Sequence, residues 1–220
     1  MEYLGFETYI DFCFADFLIT CGIAKKVRFH VKSIPWFVSD TTLSDFHWII
    51  HEAEKIESLS VTSAGKRWRN YIESNSWIIE VDKFWTTPMS YYYLPDQTGI
   101  MKKLRESSLI IFKGDLNYRK LVYDCKWETT TPFKLAVGPL GEPNTKFPPI
   151  VALRTCKSDP VVGLKPGQAA ELDQLDKEWR VNGKYGSYMQ IHTRNLMYFL
   201  LFFYSSVNIL KFYFPLRFVF

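Results

Sequence analysis

LIIFKGDLNYRKL, residues 109–121, is an apolar run that passes without a break into a cation, a glycine, a carboxylate and an amide. A short apolar run bounded by a turn residue reads as a buried strand. The residues from Leu116 onward, LNYRKLVYDC, take up a helical pattern and predict a helix over 116–125. A buried strand that feeds directly into a helix is the building unit of an α/β sheet, and ligands of such sheets bind just beyond the carboxyl ends of the strands. The polar cluster Lys113-Gly114-Asp115-Leu116-Asn117 therefore stands where a ligand would be held.

Working outward, the same alternation recurs. Residues 7–20 predict a helix with Tyr9, Phe12, Phe14 and Leu18 on one stripe and Gly22 as its stop. KKVRFHVK (25–32) alternates with period two and predicts a strand. Thr42 or Ser44 is positioned to cap a helix running to about Lys55, with Phe46, Ile49, Ile50 and Ala53 as its apolar face. Helices are expected over 64–74 and 96–106, and strands over 77–85 and 108–112, with the tyrosine-rich TTPMSYYYLPD between them as a loop. PPIVALRTCKSD (148–159) predicts a strand with a polar end, PGQAAELDQLDKEW (166–179) a helix, and KYGSYMQI (184–191) a final strand. Helices and strands alternating with short connections argue for an α/β domain with a mostly parallel sheet.

Bulk properties set limits. The chain has 220 residues, 47% apolar and 23% charged, with a net charge of +4, which suits one domain or one and a half. No basic tract with interleaved aromatics is present, so nucleic-acid binding is not expected. The cysteines, Cys13, Cys21, Cys125 and Cys156, follow no zinc spacing, which predicts reduced, buried thiols in a cytoplasmic protein. The first residues, MEYLGFETYIDF, are not a secretory signal. Residues 187–220 read as an atypical, aromatic-rich tail; from Asn195 onward ten of 26 residues are Phe or Tyr. Its uncharged run, Asn195 to Leu210, is 16 residues, short of the ~20 that a transmembrane helix needs. A tail of the kind produced by a translated intron or a shifted frame fits better than a membrane anchor.

Three strand ends carry the candidate chemistry: the loop ending at Asp40, the Lys113–Asn117 cluster, and Arg154-Thr155-Cys156-Lys157. A fourth cluster is Asn182-Gly183-Lys184-Tyr185-Gly186. Gly114 lets backbone approach a ligand, Lys113, Arg154 and Lys184 offer positive charge, and Asp40 and Asp115 are carboxylates of the type that a hard divalent cation takes. Each also has a plain structural reading. Lys-Gly-Asp is a common turn, and Asp40 before two threonines could be a helix cap. His47 and His51 stand four apart with no third ligand in view. No G-x-S-x-G, P-loop or G-x-G-x-x-G is present.

GFE (5–7), ADFL (15–18), IPWFVSDTT (34–42), KGDLNYRKL (113–121), LRTCK (153–157), VGLKPGQ (162–168) and GKYG (183–186), in this order, resemble one family. They are similar to the metal-dependent damage-control phosphatases, in the subgroup marked by Arg-Thr-x-Lys and also described as acidic-residue methyltransferase 1 and as sugar-phosphate phosphatases. The resemblance covers about residues 2–186 and implies part of a three-layer α/β/α domain with a mostly parallel central sheet, incomplete on its N-terminal side. It implies hydrolysis of sugar phosphates such as fructose 1-phosphate with manganese, cobalt or nickel. It also implies, as an alternative, carboxyl methylation with S-adenosylmethionine. Small phosphorylated metabolites are the implied partners.

By position, the resemblance makes Asp40 a catalytic, metal-binding aspartate. Lys113, Gly114, Asn117, Arg154, Thr155, Cys156, Lys157 and Lys184 become substrate-binding residues, and Glu7 a contact of S-adenosylmethionine. The family motif Asp-Asn-x-Gly-Phe-Glu stands here as Glu2-Tyr3-Leu4-Gly5-Phe6-Glu7, which leaves Glu2 as the second metal contact and replaces an amide with Tyr3. The chain opens at this motif, so it reads as a shortened form whose capacity to bind phosphate without turning it over is the third expectation.

Overall fold

The computed structural model describes residues 2–37 and 40–191, with side chains from residue 5 onward; the aromatic run from Asn195 lies outside them. The chain divides into two compact units, Met1–Pro88 and Met89–Phe220. Each has its own sheet.

The first unit runs α1 (Glu2–Thr20), β1 (Val27–Val31), α2 (Leu43–Ala53), α3 (Leu59–Glu73) and β2 (Trp77–Val81). The two strands pair in parallel, from Val27 opposite Trp77 to Val31 opposite Val81, and α2 and α3 form the crossover that parallel pairing requires. Thr42 caps α2 in a reciprocal box with Asp45, and Phe46, Ile49, Ile50 and Ala53 are the buried face, as their spacing predicts. Phe12, Phe46, Trp68 and Trp77 form the centre of the core, with ring centroids 4.4 to 6.2 Å apart. The α3 helix starts at Leu59, earlier than its apolar spacing suggests, and Gly65 within it admits α2: a Cβ there would lie 3.0 Å from the Glu54 backbone nitrogen.

α1 buries part of the predicted stripe, Phe12 with Tyr9 packed against the core, but not all of it. Thr8, Phe12, Ala15 and Asp16 are buried, whereas Phe14 and Leu18 are only half-buried. Apolar residues surround this helix, so periodicity alone could not choose the face. The choice falls to polar partners: Asp16 binds Arg67 and, at 3.0 Å, the Tyr71 hydroxyl, both from α3, and the Thr8 hydroxyl meets that of Thr41 at 2.6 Å.

The second unit contains α4 (Thr98–Arg105), β3 (Ile110–Lys113), α5 (Asp115–Leu121), α6 (Phe133–Ala136), β4 (Ile150–Thr155), α7 (Gln168–Leu175) and β5 (Gly186–Ile191). β3 and β4 are parallel, with Ile110 opposite Ile150. β5 is antiparallel to β4, running from Gly186 opposite Thr155 to Ile191 opposite Ile150. The described sheets are thus small, the first parallel and the second mixed, with parallel pairs in the majority.

Local chemistry shortens several elements. Residues 77–85 do not form one strand, because the Asp82 carboxylate accepts from the Phe84 N–H and opens a 3-10 turn over Lys83–Thr86. The tyrosine cluster is a 3-10 turn, Tyr91–Asp96. α5 ends at Leu121 rather than near Cys125, since Tyr123 and Asp124 adopt left-handed backbone with φ of 63° and 51°. The expectation of buried thiols holds only for Cys156. Cys21 lies in the turn that follows α1 and Cys125 in the coil after α5, where both are exposed, and Cys13 is half-buried. No helix of the described residues is long and apolar enough to cross a membrane.

Candidate functional site

In the second unit the polar residues singled out from the sequence converge. β3 ends at Lys113, and Gly114, with φ of 103°, turns the chain into α5 while its N–H bonds the Leu153 carbonyl at 2.8 Å. A side chain at Gly114 would meet nothing within 4 Å, so its face is open. Asn117, one turn into α5, is fixed at both ends of its amide. Its nitrogen donates to the Lys113 carbonyl at 2.5 Å and its oxygen accepts from the Tyr91 hydroxyl at 2.5 Å.

The antiparallel direction of β5 brings the Gly-Lys-Tyr-Gly segment to the carboxyl end of β4. The Cys156 N–H donates to the Tyr185 carbonyl at 2.7 Å, and the Gly183 N–H to the Cys156 carbonyl at 2.9 Å. Gly183 faces the Thr155 methyl and the Lys157 stem, each within 3.9 Å of where its Cβ would stand. Lys113, Gly114, Asn117, Thr155, Lys157 and Lys184 therefore belong to one strand-end cluster. Lys157 and Lys184 are exposed, and the Lys184 ammonium is 3.8 Å from Asp176.

Arg154 holds this cluster from beneath. Its side chain is 0% exposed. Its Nε donates to Asp115 at 2.6 Å, one terminal nitrogen donates to the Pro160 carbonyl, and the other donates to the Ser158 carbonyl at 2.5 Å and hydroxyl at 2.9 Å. The guanidinium lies over the Tyr118 ring, 4.3 Å from its centroid. Burial, partly opposed by Arg154, pushes the Tyr118 hydroxyl up to about 12, and this hydroxyl accepts from the Val162 N–H at 3.0 Å. Asp115, a candidate cation ligand in the sequence, also accepts from the Lys157 N–H at 3.2 Å and the Ser158 hydroxyl at 3.1 Å. Arg154 and Asp115 thus shape the loop after β4. The Cys156 thiol is buried and its pKa is raised by that burial, which makes it a packing group rather than a nucleophile. Tyr91, Tyr118 and Ser158 escape a sequence reading because their positions next to Asn117, Arg154 and Asp115 are set by tertiary contact.

Asp40 lies in the first unit, beyond the end of β1. Its carboxylate is 3.5 Å from the Lys32 ammonium, whose side chain is only 7% exposed. Burial lowers the Lys32 pKa, and Asp40 partly offsets the effect. The cap of α2 is Thr42, not Asp40. Glu7 is on an exposed part of α1, and the side chain of Glu2, at the start of α1, lies outside the described residues. A hard divalent cation takes several oxygen ligands. Among the described residues no group of three or more His, Cys, Asp or Glu could hold one, and at Asp40 an ammonium already supplies the positive charge. Of the two metal contacts that the resemblance implies, the described side chains include Asp40 alone.

Asp40→Asn would leave the Lys32 ammonium buried without its countercharge. A loss of about 2–3 kcal/mol is expected in urea unfolding, with the double variant Lys32→Met/Asp40→Asn recovering part of it.

Comparison with known proteins identifies the family. Residues 4–172 match the "Damage-control phosphatase ARMT1-like domain". The chain is 41% identical over 186 residues to "Damage-control phosphatase ARMT1" of Danio rerio, covering 84% of this chain and 40% of that protein. The human protein of the same name is 40% identical over 184 residues, with 83% and 40% covered, and that of Xenopus tropicalis 39% identical over 188 residues, with 84% and 41% covered. The chain spans about 40% of the length of these relatives. With the matched region, residues 4–172, extending over most of the chain, the chain belongs to the damage-control phosphatase ARMT1-like domain family.

Proposed function

We propose that residues 1–186 are part of a phosphomonoesterase α/β domain of the three-layer type, and that its substrates are small sugar phosphates such as fructose 1-phosphate. The observation that supports this most is the strand-end cluster of the second unit. Exposed Lys157 and Lys184 stand beside an open glycine, Gly114, and an amide, Asn117, whose orientation is fixed at both ends. Such a set suits a phosphoryl group: ammonium groups neutralise its oxygens, and Gly114 lets it come close to backbone. Arg154 is a positioning residue in this reading. Its charge adds to the local potential while its hydrogen bonds hold the 155–160 loop.

A second reading is favoured by Lys32. With its ammonium at Asp40, the chain would hold a phosphorylated metabolite without hydrolysing it.

The test is hydrolysis of fructose 1-phosphate by the purified chain with manganese, cobalt, nickel or chelator, alongside calorimetric binding of the same ligand. Turnover that needs metal and disappears in a folded Asp40→Asn variant supports the phosphatase. Binding without turnover, weakened by Lys157→Ala, supports the second reading. Absence of both overturns the phosphate site.

A further inference from the structure

An open groove of about 730 Å³ in the second unit takes no part in the cluster described above. It is lined by Tyr92, Tyr93, Tyr123, Trp127, Pro95 and Pro139, together with Asp96 and Cys125. Tyr93 and Tyr123 are 40% and 42% exposed, so their rings are accessible from solvent. Asp96 is the charged member of the lining, which contains no lysine or arginine.

The polar ends of these rings are already engaged. The Tyr92 hydroxyl donates to the Ala136 carbonyl at 2.7 Å, and the Trp127 Nε1 donates to the Val122 carbonyl at 2.7 Å. The Tyr93 and Tyr123 hydroxyls meet at 3.2 Å. What remains for a ligand is aromatic surface. The rings are inclined rather than flat against each other: Tyr92 and Tyr123 are 4.8 Å apart at 59°, and Tyr93 and Tyr123 are 6.4 Å apart at 47°. Gly138 seats the Tyr92 ring closely, since a Cβ there would fall 2.4 Å from it. Tyr123 adopts left-handed backbone, φ 63°, and its ring lies beside those of Tyr92 and Tyr93.

Aromatic faces carry negative potential, and a carboxylate at their rim adds to it. A neutral apolar ligand gains nothing from Asp96, and an anion is repelled by it. We propose that this groove is a binding site for a small quaternary ammonium compound, with the trimethylammonium group against the Tyr93, Tyr123 and Trp127 rings and Asp96 as its counter-charge. The proposal stands apart from the phosphate site and does not rest on the proposed phosphatase activity.

The test is calorimetric titration of the full chain with choline and, in parallel, with 3,3-dimethyl-1-butanol, which has the same shape without the charge. Choline is expected to bind at least about tenfold more tightly than the neutral alcohol. Tyr123→Gly removes one ring at a position whose backbone suits glycine, and Asp96→Asn removes the charge at an exposed site, so both variants should keep their circular dichroism spectrum. Each is expected to weaken choline by about three- to tenfold. Equal binding of choline and the alcohol, unchanged affinity in both variants, or no heat with choline at tens of millimolar would each overturn the proposal.

Discussion

Arg154→Met should cost about 3–5 kcal/mol of stability, the range seen when one partner of a buried ionic network is removed. The native side chain is fully buried. Methionine fills much of its volume but donates to nothing. Asp115 would lose its ion pair, and the Pro160 and Ser158 carbonyls would lose their donors. Urea unfolding, followed by circular dichroism, measures the loss. Lys157→Ala provides the contrast. This side chain is exposed, and its backbone N–H, which binds Asp115, remains in place. Its stability should stay within about 0.5 kcal/mol of the parent, while affinity for fructose 1-phosphate falls about tenfold or more. A stable Arg154→Met chain would remove the case for Arg154 as the support of the 155–160 loop. Unchanged affinity in Lys157→Ala would take Lys157 out of the phosphate site.

Phe12→Ala is expected to produce the largest loss in the first unit, about 3–5 kcal/mol for truncation of a buried phenylalanine. The residue is 0% exposed and lies among the rings of Phe29, Phe46, Trp68 and Trp77, with centroids 4.4 to 5.7 Å away. These neighbours belong to β1, α2, α3 and β2, so the cavity left behind would border most of the unit's elements. Rigid rings and indoles collapse poorly into a void, which places the expected value toward the upper end. The transition in urea should move to lower concentration with its slope preserved. Phe14→Ala on the same helix serves as control. It stands on the predicted stripe but is only half-buried, and should cost less than half as much.

The elements themselves were largely legible in the sequence, because the information that specifies them is local. The apolar face of α2 follows from its spacing, and Thr42 with Asp45 marks its start. The passage from an apolar strand through Gly114 into a helix is present in residues 109–121 as written. Local signals failed where one side chain changed the backbone's course. Asp82 ended β2 early, and left-handed Tyr123 and Asp124 ended α5 early. Non-glycine residues in that conformation carry little sequence signature.

By itself, then, the sequence determined the kind and order of the elements, the polar character of the strand ends and, through motifs in family order, the family. Tertiary structure decided which residues in those motifs are exposed and which are enclosed. Arg154 and Lys157 look alike as cations three residues apart, yet one is enclosed by Asp115, Ser158, Pro160 and Tyr118 and the other faces solvent. The direction of β5 follows from its backbone pairing with β4, and only that antiparallel register carries Lys184 to the end of β4. The stripe of α1 was likewise settled by Arg67, Tyr71 and Thr41, which are distant in sequence. The physical reason is common to all three. Periodicity and capping are energies between near neighbours along the chain, whereas burial and ion pairing depend on groups that only the folded chain brings together.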